Sequence, residues 1–411
     1  MTFTELQNTI APVEVNRRAT EQDGIFVSRI DSRWAAKLYV CVRPTEGGDF
    51  ASQAREIYRK LRELLRQQGG ERQNVITEKI FFSDIANQAE SFRKIREEAY
   101  LGGNGSEPHL PATTYLHQPP LEPGVLCELQ ARVIIPGEGE EMTVTDIEGL
   151  PEPAAGKIVS YRGYDHIYLQ NLTGGKSGDD LDYADQMEEV FERAEEILER
   201  EGLTFKDVIR TWLYLDEMER DYADLNRVRT AFFKRVGVER MPASTGIEGG
   251  VYPCDRGGSM DLYALRTERP VEVKQMHAPT LNEAWSYGSS FARGMTVTRE
   301  DRTVAYVSGT ASIDTEGKVV HVGDIEGQCN RMLLNVEELL EGSGADKSDI
   351  VRATTYLKHP EDFEVFKRVY AERGFPLEIP HTICDADVCR PDWLVEIEVA
   401  AIFPPSTTET D

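Results

Sequence analysis

The sequence predicts an α+β protein built from three diverged copies of one module. Two observations carry this. The element order strand, helix, strand, helix, strand, strand recurs three times, and its proline-led strand returns at Pro111, Pro242 and Pro380, spacings of 131 and 138 residues. Within each copy the strands alternate apolar and polar positions with period two, while the helices repeat apolar positions three and four apart.

The first strand of each copy is rich in β-branched and aromatic residues: Leu38 to Arg43, His166 to Gly174 and Ala305 to Ser312. An amphipathic helix follows at Ala51 to Leu65, Tyr183 to Glu199 and Ile325 to Leu340. Each closes at a glycine-bearing break (QQGGE, EREGL, EGSGA), the pattern of a left-handed C-terminal cap. The next strands, NVITEKIFFSD, DVIRTWLYLDE and DIVRATTYLKH, match one another most closely. A second helix comes next (AESFRKIREEAY, YADLNRVRTAFF, PEDFEVFKRVYAE), then the proline-led strand. Each final strand carries an acid, expected at equivalent places: Glu128, Asp261 and Glu396.

This divides the chain into modules at 1–136, 158–266 and 285–405, with Gly- and Pro-rich acidic linkers at 137–157 and 267–284. Helices on one face of a mixed sheet leave its other face to be buried. The three modules are therefore expected to pack around a shared centre, with the linkers as straps.

Composition narrows the function. At 411 residues, 40% hydrophobic and 29% charged, the chain has the make-up of a globular protein. It has no apolar run of roughly 20 residues, and Met1 to Pro12 lacks the pattern of a secretory signal. A cytoplasmic location without membrane partners is expected. The net charge of −26 opposes polyphosphate, which disfavours nucleic acid as a partner. A small anionic ligand would need clustered arginines. The six cysteines are scattered without CxxC spacing and the seven histidines lack metal-ligand spacing, so no metal or organic cofactor is expected. The GGKS run at Gly174 to Ser177 lacks the first glycine of a phosphate loop and reads as a loop.

The element order and the PAxT-type and EIE-type strands resemble the RidA/YjgF family, whose members form trimers with ligand pockets between subunits. The resemblance implies three tandem RidA/YjgF-like (chorismate-mutase-like) modules, each a mixed sheet with two helices on one face. They would be arranged as a single-chain, monomeric pseudo-trimer. RidA imine hydrolases hold the substrate carboxylate with an arginine two residues after the proline. Here Thr113, Ser244 and Thr382 stand there, and none can supply a bidentate cation. The usual imine deamination is thereby disfavoured.

The last two copies are similar to the chorismatases, a branch of the superfamily that splits pyruvate from chorismate. TWLYLDE, LNRVRTAFF, MPASTGIEGG, SSFARGM, VSGTASI and ADVCRPDWLVEIE occur in the expected order. The resemblance implies that Glu396 is the catalytic acid and that Cys389, seven residues earlier, marks the 3-hydroxybenzoate-forming subgroup.

Chorismate is a small dicarboxylate precursor of aromatic rings, and splitting its enol ether begins with proton transfer to carbon, where a positioned acid is worth roughly 10²- to 10⁴-fold. Leu394, Val395 and Ile397 flank Glu396 and supply the desolvation that would keep it protonated. On a strand Glu396 and Glu398 share a side, one as acid and the other as structural partner. Arg293 is favoured as carboxylate clamp over Arg390, Arg331 and Arg229. Phe291, Gly309, Thr310, Thr382, Cys384 and Arg390 complete the candidate substrate-binding set, while Trp212 and Tyr214 read as interface. Each candidate has a bland counterpart: a buried cysteine, a solvated arginine, a turn glycine. Three functions stay open: a chorismatase-like pyruvate-releasing enzyme, a RidA-like enamine/imine deaminase with a relocated arginine, and a non-catalytic small-metabolite binder. The expected site is formed mainly by the third module and closed by the second.

Overall fold

The computed structural model describes residues 16–101, 109–176, 178–179, 181–282 and 290–405. Each module opens with a three-stranded antiparallel meander. The strands are Asn16–Gln22, Ile25–Asp31 and Ala35–Val42 in the first, Thr143–Asp146, Ala155–Tyr161 and Tyr164–Thr173 in the second, and Glu272–Gln275, Gly294–Thr298 and Thr303–Ala311 in the third. A long helix follows: Phe50–Gln68, Tyr183–Arg200 or Ile325–Glu341. Asp49, Asp182 and Asp324 cap their N-termini by accepting a backbone N–H. Gly69, at φ 76°, ends the first of these helices in the left-handed conformation expected of the glycine break.

A one-turn helix with a reciprocal capping box (Glu71 with Asn74, Thr204 with Asp207, Asp346 with Asp349) launches the central strand of each copy. These strands are Val75–Phe82, Val208–Leu215 and Ile350–Leu357. After the second helix (Ile85–Tyr100, Met218–Val236, Phe363–Glu372), the proline-led strand lies parallel to the central one. The final strand (Cys127–Pro136, Gly258–Thr267, Val395–Phe403) inserts antiparallel between the meander and the central strand. Three mixed sheets, each with two helices, result.

The segments expected as linkers, 137–157 and 267–284, supply meander strands instead: Thr143–Asp146, the start of Ala155–Tyr161, and Glu272–Gln275. The short outer strands, Thr143–Asp146 and Glu272–Gln275, lie at sheet edges and are exposed or half-buried, so their sequences carry no apolar alternation to reveal them. Residues 285–289 of the third module lie outside the described residues.

Register corrects the alignment of the final strands. Glu396 pairs with Tyr356 and Glu128 with Phe81, but the matching Tyr214 pairs with Ser259. Asp261 instead pairs with Trp212, the partner that corresponds to Thr354 opposite Glu398. Asp261 therefore occupies the place of Glu398, and Ser259 that of Glu396. A two-residue offset preserves strand alternation, which is why the sequence pattern did not expose it.

The inner faces of the three sheets meet in one apolar cluster containing Tyr39, Phe81, Tyr168, Trp212, Tyr306 and Tyr356. A separate cluster lies between each sheet and its helices. The segment after each proline-led strand crosses to a neighbour. Val251 pairs with Leu116, the Leu121 N–H donates to the Ile383 carbonyl at 3.0 Å, and the Glu248 N–H donates to the Asp387 carbonyl at 3.1 Å. The copies are stitched through their backbones as well as packed. Among the described residues no helix is long and apolar enough to cross a membrane.

Candidate functional site

Between the second and third modules lies a cavity of about 350 Å³, within the range of small-molecule sites. The second module contributes Tyr222, Asn226 and Arg229 from one face of its second helix, and Ser244 and Gly246 from its proline-led strand. The third contributes Phe291, Arg293, Gly309, Ala311, Ile313, Cys389, Arg390, Trp393 and Glu396. The sheets are sewn together here: the Ser244 N–H donates to Ser308 Oγ at 2.9 Å, and the Ala292 N–H to the Pro242 carbonyl at 2.9 Å.

Glu396 forms the floor and is 3% exposed. Burial, reinforced by the nearby negative charge of Glu398, pushes its carboxyl up to about 8, against the pull of Arg210 and Arg293. The group is therefore mostly protonated at neutral pH. Its Oε1 lies 1.9 Å from where a Cβ on Gly309 would stand, so only glycine leaves room for it. Glu398, 2% exposed, is the opposite case. Burial raises it, but Arg210, Lys79 and Arg352 outweigh that and hold it down at about 2. It accepts from Arg210 Nη2 at 2.7 Å, Thr245 Oγ1 at 2.7 Å and Trp212 Nε1 at 2.8 Å. One strand thus presents a neutral acid and a fixed carboxylate two residues apart.

Three guanidinium groups line the walls. Arg293 is fixed by the Asn282 carbonyl at 2.8 Å and its Oδ1 at 3.0 Å. Arg229 is oriented by Asn226 Oδ1 at 2.6 Å, and both cations lie over the Phe291 ring. Arg390 donates to the Gly317 carbonyl at 2.7 Å and stacks on Trp393, whose Nε1 is anchored on the Ser312 carbonyl. Burial and the proximity of Glu396 push the Cys389 thiol up to about 12, so it faces the cavity as a neutral group.

Of the sequence candidates, Glu396, Cys389, Arg293, Phe291, Gly309 and Arg390 line this one cavity. Thr310 does not: strand alternation turns it away from Gly309 and Ala311, and its Oγ1 donates to the Ser308 carbonyl. Thr382 and Cys384 belong to the boundary between the third and first modules, because the strand that faces the cavity is the second module's. There Thr382 bonds Glu128 and Gln130, and Cys384 Sγ reaches the Thr355 carbonyl at 3.6 Å. Arg331 ties the Ile313 and Thr280 carbonyls instead of lining the cavity. Trp212 and Tyr214 lie at module boundaries, through Glu398 and Lys79 respectively. Ser289 and Ser177 lie outside the described residues. Sequence reading passed over Tyr222, Asn226, Gly246 and Trp393; the i, i+4, i+7 spacing of Tyr222, Asn226 and Arg229 on one helix was the available signal.

The two corresponding clefts differ. At the third–first boundary Glu128 occupies the place of Glu396, but Arg43 neutralises it at 2.7 Å, and Pro120, bridged to Cys384, stands where Cys389 would be. At the first–second boundary Ser259 replaces the acid and Tyr252 occupies the cysteine position. Among the described residues no cluster of His, Cys, Asp and Glu is placed to hold a metal ion.

The model of the family described as Endoribonuclease L-PSP matches residues 170–253 and 291–403. The chain is 34% identical over 99 residues to the 3-aminoacrylate deaminase RutC of Acinetobacter baylyi, covering 24% of this chain and 78% of that protein. It belongs to the RidA/YjgF (L-PSP) family. A second relative in sequence is a 3-hydroxybenzoate synthase of Streptomyces hygroscopicus, 28% identical over 236 residues. That match spans 49% of this chain and 65% of the synthase, just under two thirds of its length. In structure the chain resembles a crystallised chorismatase with a TM-score of 0.57 at 20% identity, over 80% of this chain and 93% of that one. The fold likeness is wider than the last two modules and reaches into the first.

Proposed function

We propose that the cavity between the second and third modules binds chorismate and cleaves its enolpyruvyl ether, releasing pyruvate. The observation that carries this is Glu396: a carboxyl kept protonated on the floor of a pocket walled by three arginines. A dianionic substrate matches that cationic wall, and its terminal methylene requires an acid rather than a base.

In this reading Glu396 gives its proton to the methylene carbon, the alkene electrons form the new C–H bond, and the ether carbon becomes an oxocarbenium. Water adds there and returns a proton to the Glu396 carboxylate. The resulting hemiketal breaks its C–O bond to the ring, leaving pyruvate and a ring hydroxyl. Loss of water from the resulting ring diol, one hydroxyl leaving with the hydrogen of the carbon that keeps the other, aromatises the ring to 3-hydroxybenzoate, so the water consumed is returned and chorismate yields one 3-hydroxybenzoate plus one pyruvate. We assign 3-hydroxybenzoate as the product, on the similarity to the synthase and on Cys389, which acts as a neutral wall rather than a nucleophile.

The test is pyruvate release from chorismate, coupled to lactate dehydrogenase; no release above the Glu396→Gln control sinks the assignment. The likeness to a 3-aminoacrylate deaminase favours one other reading, in which Arg293 or Arg229 replaces the missing strand arginine and an imine is hydrolysed. Ammonia release from freshly generated 2-aminoacrylate, without pyruvate release from chorismate, selects it.

A further inference from the structure

We propose that Glu398 is a positioning residue for Glu396: clamped in its ionised form by the second module, it keeps the neighbouring acid protonated and fixes the backbone shelf on which that acid lies. This deepens the chorismate reading and rests on it for its kinetic consequences alone.

Glu396 and Glu398 project from the same face of one strand, both almost fully buried. Glu398 is surrounded by donors: Arg210, Trp212 and Thr245 from the second module, and Arg352 Nη2 at 3.4 Å from the third. Lys79 of the first module lies over the Trp212 ring and 3.7 Å from Asp261, adding a cation on the far side. The buried hydroxyls of Tyr214 and Tyr356 lie within electrostatic reach of Glu398, which raises both. Glu396 is faced by Arg210 from behind, by Arg293, Arg229 and Arg390 across the cavity, and by Cys389 and Tyr222 at its rim. Glu398 is the carboxylate whose charge bears on it, and that fixed charge opposes a second ionisation on the same face.

The same group reaches the shelf through one intermediary. Thr245 Oγ1 donates to Glu398 and accepts the Gly309 N–H at 3.0 Å, and the Gly309 Cα carries the Glu396 carboxyl. Charge and position are therefore delivered by one cross-module chain, Arg210–Glu398–Thr245–Gly309.

The experiment titrates Glu396 without substrate. Infrared spectra of the full chain are recorded against pH, the protonated carboxyl band being assigned by its loss in Glu396→Gln. In Glu398→Gln the midpoint for Glu396 falls by more than one pH unit. In Thr245→Val, which keeps the charge and cuts the shelf contact, it moves by less than half a unit while kcat drops at least tenfold with KM unchanged. Should Glu398→Gln leave Arg210 unpaired and fail to fold, the paired variant Arg210→Gln/Glu398→Gln still shifts the midpoint downward, because Glu398 outweighs Arg210 at Glu396. An unmoved or raised midpoint in the folded Glu398 variants overturns the proposal, as does full activity in Thr245→Val. If wild type releases no pyruvate yet the midpoint falls, the electrostatic role stands and the chorismate reading alone is lost.

Discussion

Gly309→Ala isolates the geometry of the site from its chemistry. The glycine φ is not in the left-handed region, so alanine adds no backbone strain, and the only change is a methyl group. Its carbon would lie 1.9 Å from Glu396 Oε1, 3.0 Å from Cδ and 3.2 Å from Thr245 Cγ2. Carbon and oxygen need roughly 3.4 Å or more, close to an optimal non-bonded separation, so the carboxyl must retreat by about 1.5 Å. The neighbouring Thr245 methyl is already too near to yield. A displacement on the order of 1 Å of a reacting group costs about 10²-fold in rate, or about 2.7 kcal/mol of transition-state stabilisation. Overpacking destabilises the fold by a further ~1–3 kcal/mol. Stopped-time pyruvate assays and thermal unfolding measure the two separately. A kcat within threefold of wild type would refute the placement of Glu396 as the reacting acid.

Further outcomes follow from the same contacts. Pyruvate release declines as pH rises through about 8, where Glu396 loses its proton, and Glu396→Gln abolishes it at every pH. The linkage has a definite sign. Glu396 is raised, so the folded state keeps a proton that the unfolded chain has lost; its contribution to stability falls from pH 4.5 to about 8, and Glu396→Gln raises Tm more at pH 8 than at pH 5. Glu398 is lowered, so its contribution is complete above pH 4.5 and is lost as pH falls toward 2, which Tm against pH in Glu398→Gln checks by losing that acid-side slope. Cys389→Ala retains pyruvate release within tenfold but changes the ratio of 3-hydroxybenzoate to non-aromatic product on chromatography, and the wild-type thiol resists iodoacetamide at pH 8. Glu128→Gln leaves pyruvate release unchanged within twofold yet lowers Tm, since it strips Arg43 of a buried partner.

The fold was legible because its signal is repeated: three copies of each alternating strand and each amphipathic helix reinforce one another. The outer meander strands were not, since Thr143–Asp146 and Glu272–Gln275 are four residues long and each turns a single half-buried valine, Val144 or Val273, to the core, too little to show a pattern. In the site, Glu396, Gly309, Arg293 and Cys389 were readable from motifs along the third module. Thr382 and Cys384 were misplaced because the sequence shows which strand matches a pocket strand, but not which neighbour's copy of it closes the pocket. Ser244, on the second module's strand, fills that role. The Asp261 offset has a related cause: final strands of equal polarity differ by a two-residue shift that only the pairing partner resolves.

Fusion of the copies changes what the acid costs. A carboxyl moved from 4.5 to about 8 is held protonated at pH 7, where the unfolded chain would ionise it, a penalty of about 3 kcal/mol at 1.36 kcal/mol per unit. A domain retains only ~5–15 kcal/mol of net stability, so a homotrimer repeating this site three times would carry the penalty in every cleft. In one chain the clefts are free to diverge. Arg43 neutralises the acid at one boundary, and Ser259 removes it at another. The penalty is confined to the boundary where Arg293, Arg229 and Arg390 converge. Exchanging Arg43 for alanine tests this reasoning from the other side. With its counter-charge gone, the buried Glu128 carboxyl is left without its cation and the chain should lose stability, visible as a Tm deficit that adding Glu128→Gln partly restores. A deficit that Glu128→Gln does not relieve would mean that the unpaired buried acid is not what sets the cost.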